Sequence, residues 1–130
     1  MHADGHVDVA VTATAYGDYH DIIPRRGLSF TIPRDCRQVA WYGHGPGENY
    51  PDSLAANPVG VWTNDVDAMF TPYVMPQDCA NHEGTRWVTF RDGNGNGVMV
   101  TRTAPADGES EAFSFSACRT AALISTKPSM

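Results

Sequence analysis

The sequence predicts an all-β fold, an antiparallel β-sandwich, and three observations carry that prediction. Apolar residues recur at every second position in segment after segment, the period of a strand with one face buried. Pro, Gly and Asn clusters separate those segments at short intervals, as turns do in sandwiches. Only Thr120 to Ser125 has a helical character. At 130 residues the chain has the size of one ordinary domain, so a single domain over 1–130 is expected. A hydrophobic fraction of 42% supplies a core and a charged fraction of 18% is too low for a disordered acidic tail, so the chain should fold.

The elements follow in order. Residues 6–13 put Val7, Val9, Val11 and Ala13 on one face of a strand and Asp8 and Thr12 on the other. Residues 27–32 repeat the pattern with Leu28, Phe30 and Ile32 inward, bounded by Pro24 and Pro33. Strands are also expected over 38–42, with Trp41 at core parity with Val39, and over 59–63. Residues 85–91 and 98–103 flank a Gly/Asn turn and form a hairpin. Residues 112–117 close the series with Phe113 and Phe115 on one face.

Composition removes several function classes. Nine Lys and Arg against fifteen Asp and Glu leave a net charge of -6, the wrong sign for neutralising phosphates or coating an anionic membrane, so neither nucleic acid nor membrane is an expected partner. No apolar run approaches the roughly twenty residues that cross a bilayer, and Met1-His2-Ala3-Asp4-Gly5-His6 has neither the basic start nor the apolar core of a signal peptide. Cys36, Cys79 and Cys118 are odd in number and widely spaced, which reads as buried free thiols rather than a disulfide framework or a CxxC motif.

Chemistry-bearing motifs are few. Asp92-Gly93-Asn94-Gly95-Asn96-Gly97 matches the first half of a calcium loop, but the twelfth position is Thr103 instead of Glu and the flanks alternate as strands, so a hairpin turn is expected. No G-x-S-x-G elbow or H-E-x-x-H pair occurs, and His2, His6, His20, His44 and His82 show no ligand spacing. His44, flanked by Gly43 and Gly45, is either an exposed loop histidine or a ligand contact. The Pro- and Gly-rich stretch 43–58 carries Glu48, Asn49, Tyr50 and Asp52 among its turn residues, which marks a functional loop rather than a linker. Glu48 and Asp52, with Asp65 and Asp67 farther on, are the candidate carboxylates. Glu48 and Asp52 stand as solvated or loop-amide-bonded groups, as cation or sugar contacts, or as a catalytic pair, since spacing in a loop fixes no distance. Tyr42, Tyr50 and Trp41 offer apolar faces for a sugar ring, with core burial the competing role of Trp41.

Trp41-Tyr42-Gly43-His44-Gly45-Pro46-Gly47-Glu48-Asn49-Tyr50-Pro51-Asp52 resembles the W-x-G-x-G-P-x-E-N-Y-P-D signature of the small-chain, C-terminal domain of bacterial β-galactosidases in glycoside hydrolase family 2. Four further blocks agree in order: Pro24 to Leu28, Phe70 to Asp78, Arg86 to Val88, and Phe113 to Ser116. The resemblance runs from about Val7 to about Ile124 and implies part of a galactose mutarotase-like β-supersandwich that packs against a catalytic barrel. It places both catalytic glutamates on that barrel, so this chain carries no catalytic residue and should be inactive alone. It implies that Gly45, Pro46, Gly47, Glu48, Asn49, Tyr50, Pro51 and Asp52 belong to a mobile loop near the galactose site, with Gly45 and Gly47 as hinges, and that Glu48 can engage Mg²⁺ in the parent enzyme. No cofactor is expected for folding of the chain itself.

Departures bear on those implications. Ser53 follows Asp52 where the family often has Arg, and Asp78-Cys79-Ala80-Asn81-His82 stands where the family has E-N-G-N-R. The family's aromatic sugar contact from this domain lies beyond Met130, so the chain reads as an excerpt of a larger domain. Its expected partners are the remaining domains of a β-galactosidase, a β-galactoside such as lactose, and other copies of itself through uncovered edges. A bacterial cytoplasmic setting is expected. The competing function class is a free-standing carbohydrate-binding β-sandwich.

Overall fold

Val39 and Trp41 alternate with Gln38, Ala40 and Tyr42, and the computed structural model turns that alternation into the interior strand of a sheet. The structure describes residues 2–12, 14, 16–17, 26–75, 78–102, 112–118 and 121–126. Among them the strands are β1 (Arg26–Phe30), β2 (Gln38–His44), β3 (Val59–Asp65), β4 (Asn81–Thr85), β5 (Trp87–Arg91), β6 (Gly97–Thr101), β7 (Phe113–Cys118) and β8 (Ala121–Thr126), with one 3₁₀ turn at Leu54–Ala56. They form two four-stranded antiparallel sheets, ordered β1-β8-β7-β4 and β3-β2-β5-β6. The expected all-β sandwich is what forms.

The core lies between the sheets. Val39 and Trp41 of β2 and Val88 and Phe90 of β5 face Phe113, Phe115 and Ala117 of β7, with Phe30, Ile32, Trp62 and Val100 packed around them. Phe115 presents its ring near the edges of Trp41 and Phe90, with centroids 5.9 and 6.3 Å apart, the geometry favoured by aromatic quadrupoles. Trp41 is wholly buried, so its core role is the one realised. Each fully buried side chain of this kind stabilises the fold by about 1.5–3 kcal/mol through lost apolar surface.

The two sheets join at β4 and β5, which are separated by Arg86 alone. Its N–H donates to the Tyr42 carbonyl at 2.8 Å, so the strand leaves one sheet and enters the other beside β2. A Cβ on Gly43 would lie 2.9 Å from the Thr85 Cα, so only glycine lets β2 and β4 approach this closely. Gly84, at φ +63°, occupies the register shift between His82 and Thr85, a bulge that needs a left-handed residue.

Two expected elements are corrected. The alternation at 6–13 does not yield a strand among the described residues of that segment, and Val7, Val9 and Val11 are 55%, 66% and 64% exposed. A period of two needs a partner to pair with, and none of the described strands supplies one there. The helical character expected over Thr120 to Ser125 is not found at 121–125, where Ala121–Thr126 is β8, held between β1 and β7, and Thr120 lies outside the described residues. The cysteine expectation holds for Cys36, which is buried and free, whereas Cys79 is free but only half-buried. Pro24, Pro76, Gln77, Thr103 and the Cys118 side chain lie outside the described residues.

The hairpin joining β5 and β6 uses Asp92 as an internal acceptor. Its carboxylate takes the Asn94 and Asn96 N–H groups at 2.8 and 2.9 Å and the Asn96 side-chain amide at 3.3 Å. Those bonds use the oxygen that a calcium loop offers to the ion, and the turn reads as a hairpin closure.

Candidate functional site

The loop of interest is closed at its base. Gly45 N–H donates to the Pro58 carbonyl at 3.2 Å, and the His44 Nδ1–H meets the Asn57 carbonyl. His44 is therefore half-buried and committed to the loop base. A Cβ on Gly45 would lie 2.6 Å from the Trp62 indole, which also covers Gly60 and donates its Nε1–H to the Gly43 carbonyl at 3.2 Å. Neither Gly45 nor Gly47 has a positive φ. What Gly45 supplies here is room for Trp62, not a dihedral forbidden to other residues.

Asn49 mounts the loop on the second sheet. It is fully buried, and its N–H donates to the Asn81 carbonyl at 2.7 Å while its Oδ1 accepts the Glu83 N–H at 2.8 Å. Main chain and side chain together thus satisfy two outward groups of β4, the edge strand, in place of a further strand. The side-chain amide donates to the Gly47 carbonyl at 3.0 Å and faces His82 Nδ1 at 3.5 Å. Asn81 returns the contact by donating to the Asn49 carbonyl at 2.8 Å. Ser116, on β7, sits 3.2 Å from both Asn81 Oδ1 and Asp78 Oδ2 and extends the polar network into the sheet.

His82 stands where the family pattern has Arg. Its ring lies 4.4 Å from Trp41 and stacks 5.0 Å from Phe115. Burial between those rings lowers its pKa to about 4, offset only in part by the His44 carbonyl and the Glu48 charge, so the imidazole is neutral near pH 7.

Glu48 turns inward. Its Oε1 accepts from the Thr71 hydroxyl at 3.3 Å and from the Tyr73 hydroxyl, and its Oε2 accepts the Ala80 N–H at 2.8 Å. The hydrogen bond to Glu48 is the main reason that the Tyr73 phenol is harder to ionise than an ordinary tyrosine. Tyr50, which donates to the Asp78 carbonyl at 2.8 Å, is likewise harder to ionise, chiefly through desolvation and then through the nearby charge of Glu48. Ser53 closes the following turn: its hydroxyl accepts the Tyr50 N–H at 2.9 Å. Pro46, Gly47, Pro51 and Asp52 form the exposed rim.

The candidate carboxylates do not converge. Glu48 faces three donors of its own chain, while Asp52 is exposed on the rim of the loop. Asp65 and Asp67 pair with Arg37 at 3.1 and 2.8 Å, beyond the opposite end of β2 from His44. Seven residues of strand put roughly 20 Å between those ends. Tyr42 is half-exposed on the outer face of its sheet with the Arg86 guanidinium 4.9 Å above the ring. The donors around Glu48 point hydrogens at the oxygens a cation would need, and the described residues hold no group of three His, Cys, Asp or Glu side chains placed for a metal. These residues by themselves do not fit Mg²⁺.

The model of the family described as "Beta galactosidase small chain" matches residues 1–126. The chain belongs to that family. The small-chain segment is 45% identical over 85 residues to a β-galactosidase of Photobacterium profundum, covering 64% of the segment and 8% of the relative. It is 38% identical over 96 residues to one of Streptococcus thermophilus, covering 74% and 9%. With one of Lactobacillus delbrueckii subsp. bulgaricus the figures are 34% over 117 residues, 89% and 11%. The small-chain segment thus spans about a tenth of the length of these curated relatives.

The loop is legible in the sequence, but the residues that hold it are not. Thr71, Tyr73 and Ala80 lie 23 to 32 positions from Glu48, and Asn81 and Glu83 of β4 lie 32 and 34 positions from Asn49. One signal was present: the family pattern has Gly where Ala80 stands, and Ala80 adopts φ 57°, the left-handed conformation that favours glycine.

Proposed function

We propose that these residues serve as a non-catalytic small-chain segment of a larger β-galactosidase, a retaining enzyme that hydrolyses terminal β-D-galactosides such as lactose. The segment packs against the catalytic barrel and supplies the loop 45–54, whose exposed rim moves beside the galactose site while Asn49 keeps its foot on β4. The observation that carries this reading is coverage: most of the chain aligns with about a tenth of proteins named β-galactosidase. The outward Asp52 and inward Glu48 support it too, because a glycosidase needs two carboxyl groups about 5–9.5 Å apart across one bond.

The test is turnover of a chromogenic β-galactoside. The parent polypeptide hydrolyses it and the 130-residue chain does not. Turnover by the isolated chain that survives repurification would overturn the reading. Saturable lactose binding by the chain without a parent would favour a free-standing carbohydrate-binding module.

Magnesium belongs to the parent in this reading, with Glu48 offering an oxygen only once its present donors release it. Added Mg²⁺ should leave the melting temperature of the isolated chain unchanged. The isolated chain also self-associates. Val61 shares the outer face of the β3-β2-β5-β6 sheet with Tyr42 and Trp87, Met99 lies on the same side, and Val61 and Met99 are 65% and 58% exposed. Sedimentation that shows only monomer at high concentration would contradict this. Fractionation of the native bacterium should find the parent in the cytoplasm.

A further inference from the structure

We infer that Tyr73 and Thr71 are positioning residues for Glu48, and that they tie the segment 71–80 to the loop 45–52 so that the loop's charge is presented in one direction. The inference rests on the proposed role of that loop at a galactoside site. Three donors from one segment converge on one carboxylate: the two hydroxyls on Oε1 and the Ala80 N–H on Oε2. A carboxylate held by several donors is fixed in rotation as well as in place.

Ala80 gives the arrangement its second support. It is fully buried and left-handed at φ 57°, a conformation that disfavours a residue with a Cβ. Its N–H reaches Glu48, so the carboxylate compensates part of the strain in the turn that leads into β4. The pull acts in both directions. Glu48 holds the Ala80 turn, and the segment carrying Thr71 and Tyr73 holds Glu48. Between Tyr73 and Ala80 the segment also turns Val74 and Met75 outward, 99% and 74% exposed. Nothing else described takes the two Glu48 oxygens, so loss of the Tyr73 hydroxyl leaves Oε1 with Thr71 alone.

Amide exchange in the 130-residue chain and kinetics of the parent polypeptide test the claim together. Tyr73→Phe should speed exchange of the Ala80 amide about tenfold, the factor that corresponds to one net hydrogen bond, and Glu48→Ala should do so at least as strongly. Glu48→Gln should retain protection, because its carbonyl can face Ala80 while its NH₂ faces the hydroxyls, which then accept. In an Ala80→Gly background the effect of Glu48→Ala should shrink, since glycine takes the turn without strain. In the parent, Tyr73→Phe should change KM for a galactoside about three- to tenfold with kcat altered less than twofold, the mark of lost binding rather than lost chemistry.

Unchanged Ala80 exchange in both Tyr73→Phe and Glu48→Ala overturns the clamp while leaving the loop reading intact. Faster exchange with an unchanged KM overturns the positioning role and the loop reading together. A kcat loss with KM unchanged also overturns the positioning role, since Tyr73 would then act in the chemical step.

Discussion

Trp41→Ala should cost the chain about 4 kcal/mol of unfolding free energy, within the range for truncating a buried Trp. Trp41 is completely enclosed, donates its indole N–H to the His44 carbonyl at 2.9 Å, and packs against both His82 and Phe115. Truncation leaves a cavity between the sheets and removes a donor from the carbonyl at the loop base. Whole-domain stabilities are about 5–15 kcal/mol, so a quarter or more of the total is at stake. The loop should loosen as well, because the tryptophan supports one side of the His82 ring that faces Asn49. Val61→Ala, on the outer face of the same sheet, should change stability by less than about 0.5 kcal/mol. Urea unfolding with equal effects for the two variants would contradict the assignment of the core face.

Acidification should destabilise the fold above the range where carboxylates titrate. His82 has a folded pKa of about 4 against an ordinary value of 6.5. Its contribution is fully present above about pH 6.5, falls as the unfolded chain takes up a proton, and levels off once pH drops past the folded pKa. The loss amounts to about 2 kcal/mol by pH 5 and roughly 3 kcal/mol at completion. A proton on Nδ1 would also face the Asn49 amide, donor against donor, so the mount of the loop is disturbed along with the core. His82→Leu should flatten the melting temperature between pH 7.5 and 5 relative to the unsubstituted chain. An equally steep profile in that variant would assign the sensitivity elsewhere.

These expectations divide between what the sequence discloses and what only the folded chain does. Alternation placed β2, β3, β5, β6 and β7 within a few residues, because each buries one face against a partner and the pattern records that burial. The same alternation misled at Val7 to Val11, where the side chains meet solvent. Ala121 to Ser125 lacks a clear period of two and has residues that suit helices, yet β1 and β7 present unpaired edges that β8 fills, so tertiary pairing overrides propensity.

The site shows a similar split. The block from Trp41 to Asp52 identified the loop and its family, and the enclosure of Trp41 follows from its parity with Val39. Asn49 among prolines and glycines reads locally as a turn former, and its service as a substitute strand partner for β4 depends on a contact distant in sequence. The inward turn of Glu48 was equally hidden, since its donors are two hydroxyls and a backbone N–H, with no positive charge to advertise the pairing.

In the proposed function the loop 45–54 stands at a galactoside site while Asn49 anchors it. Hydrogen–deuterium exchange of the parent polypeptide, with and without saturating galactose, tests it most directly. Galactose should slow exchange at the rim amides of Gly47 and Asp52 several-fold while the Asn49 amide stays protected in both conditions. Rim amides indifferent to galactose, or an Asn49 amide that exchanges freely without it, would contradict the account.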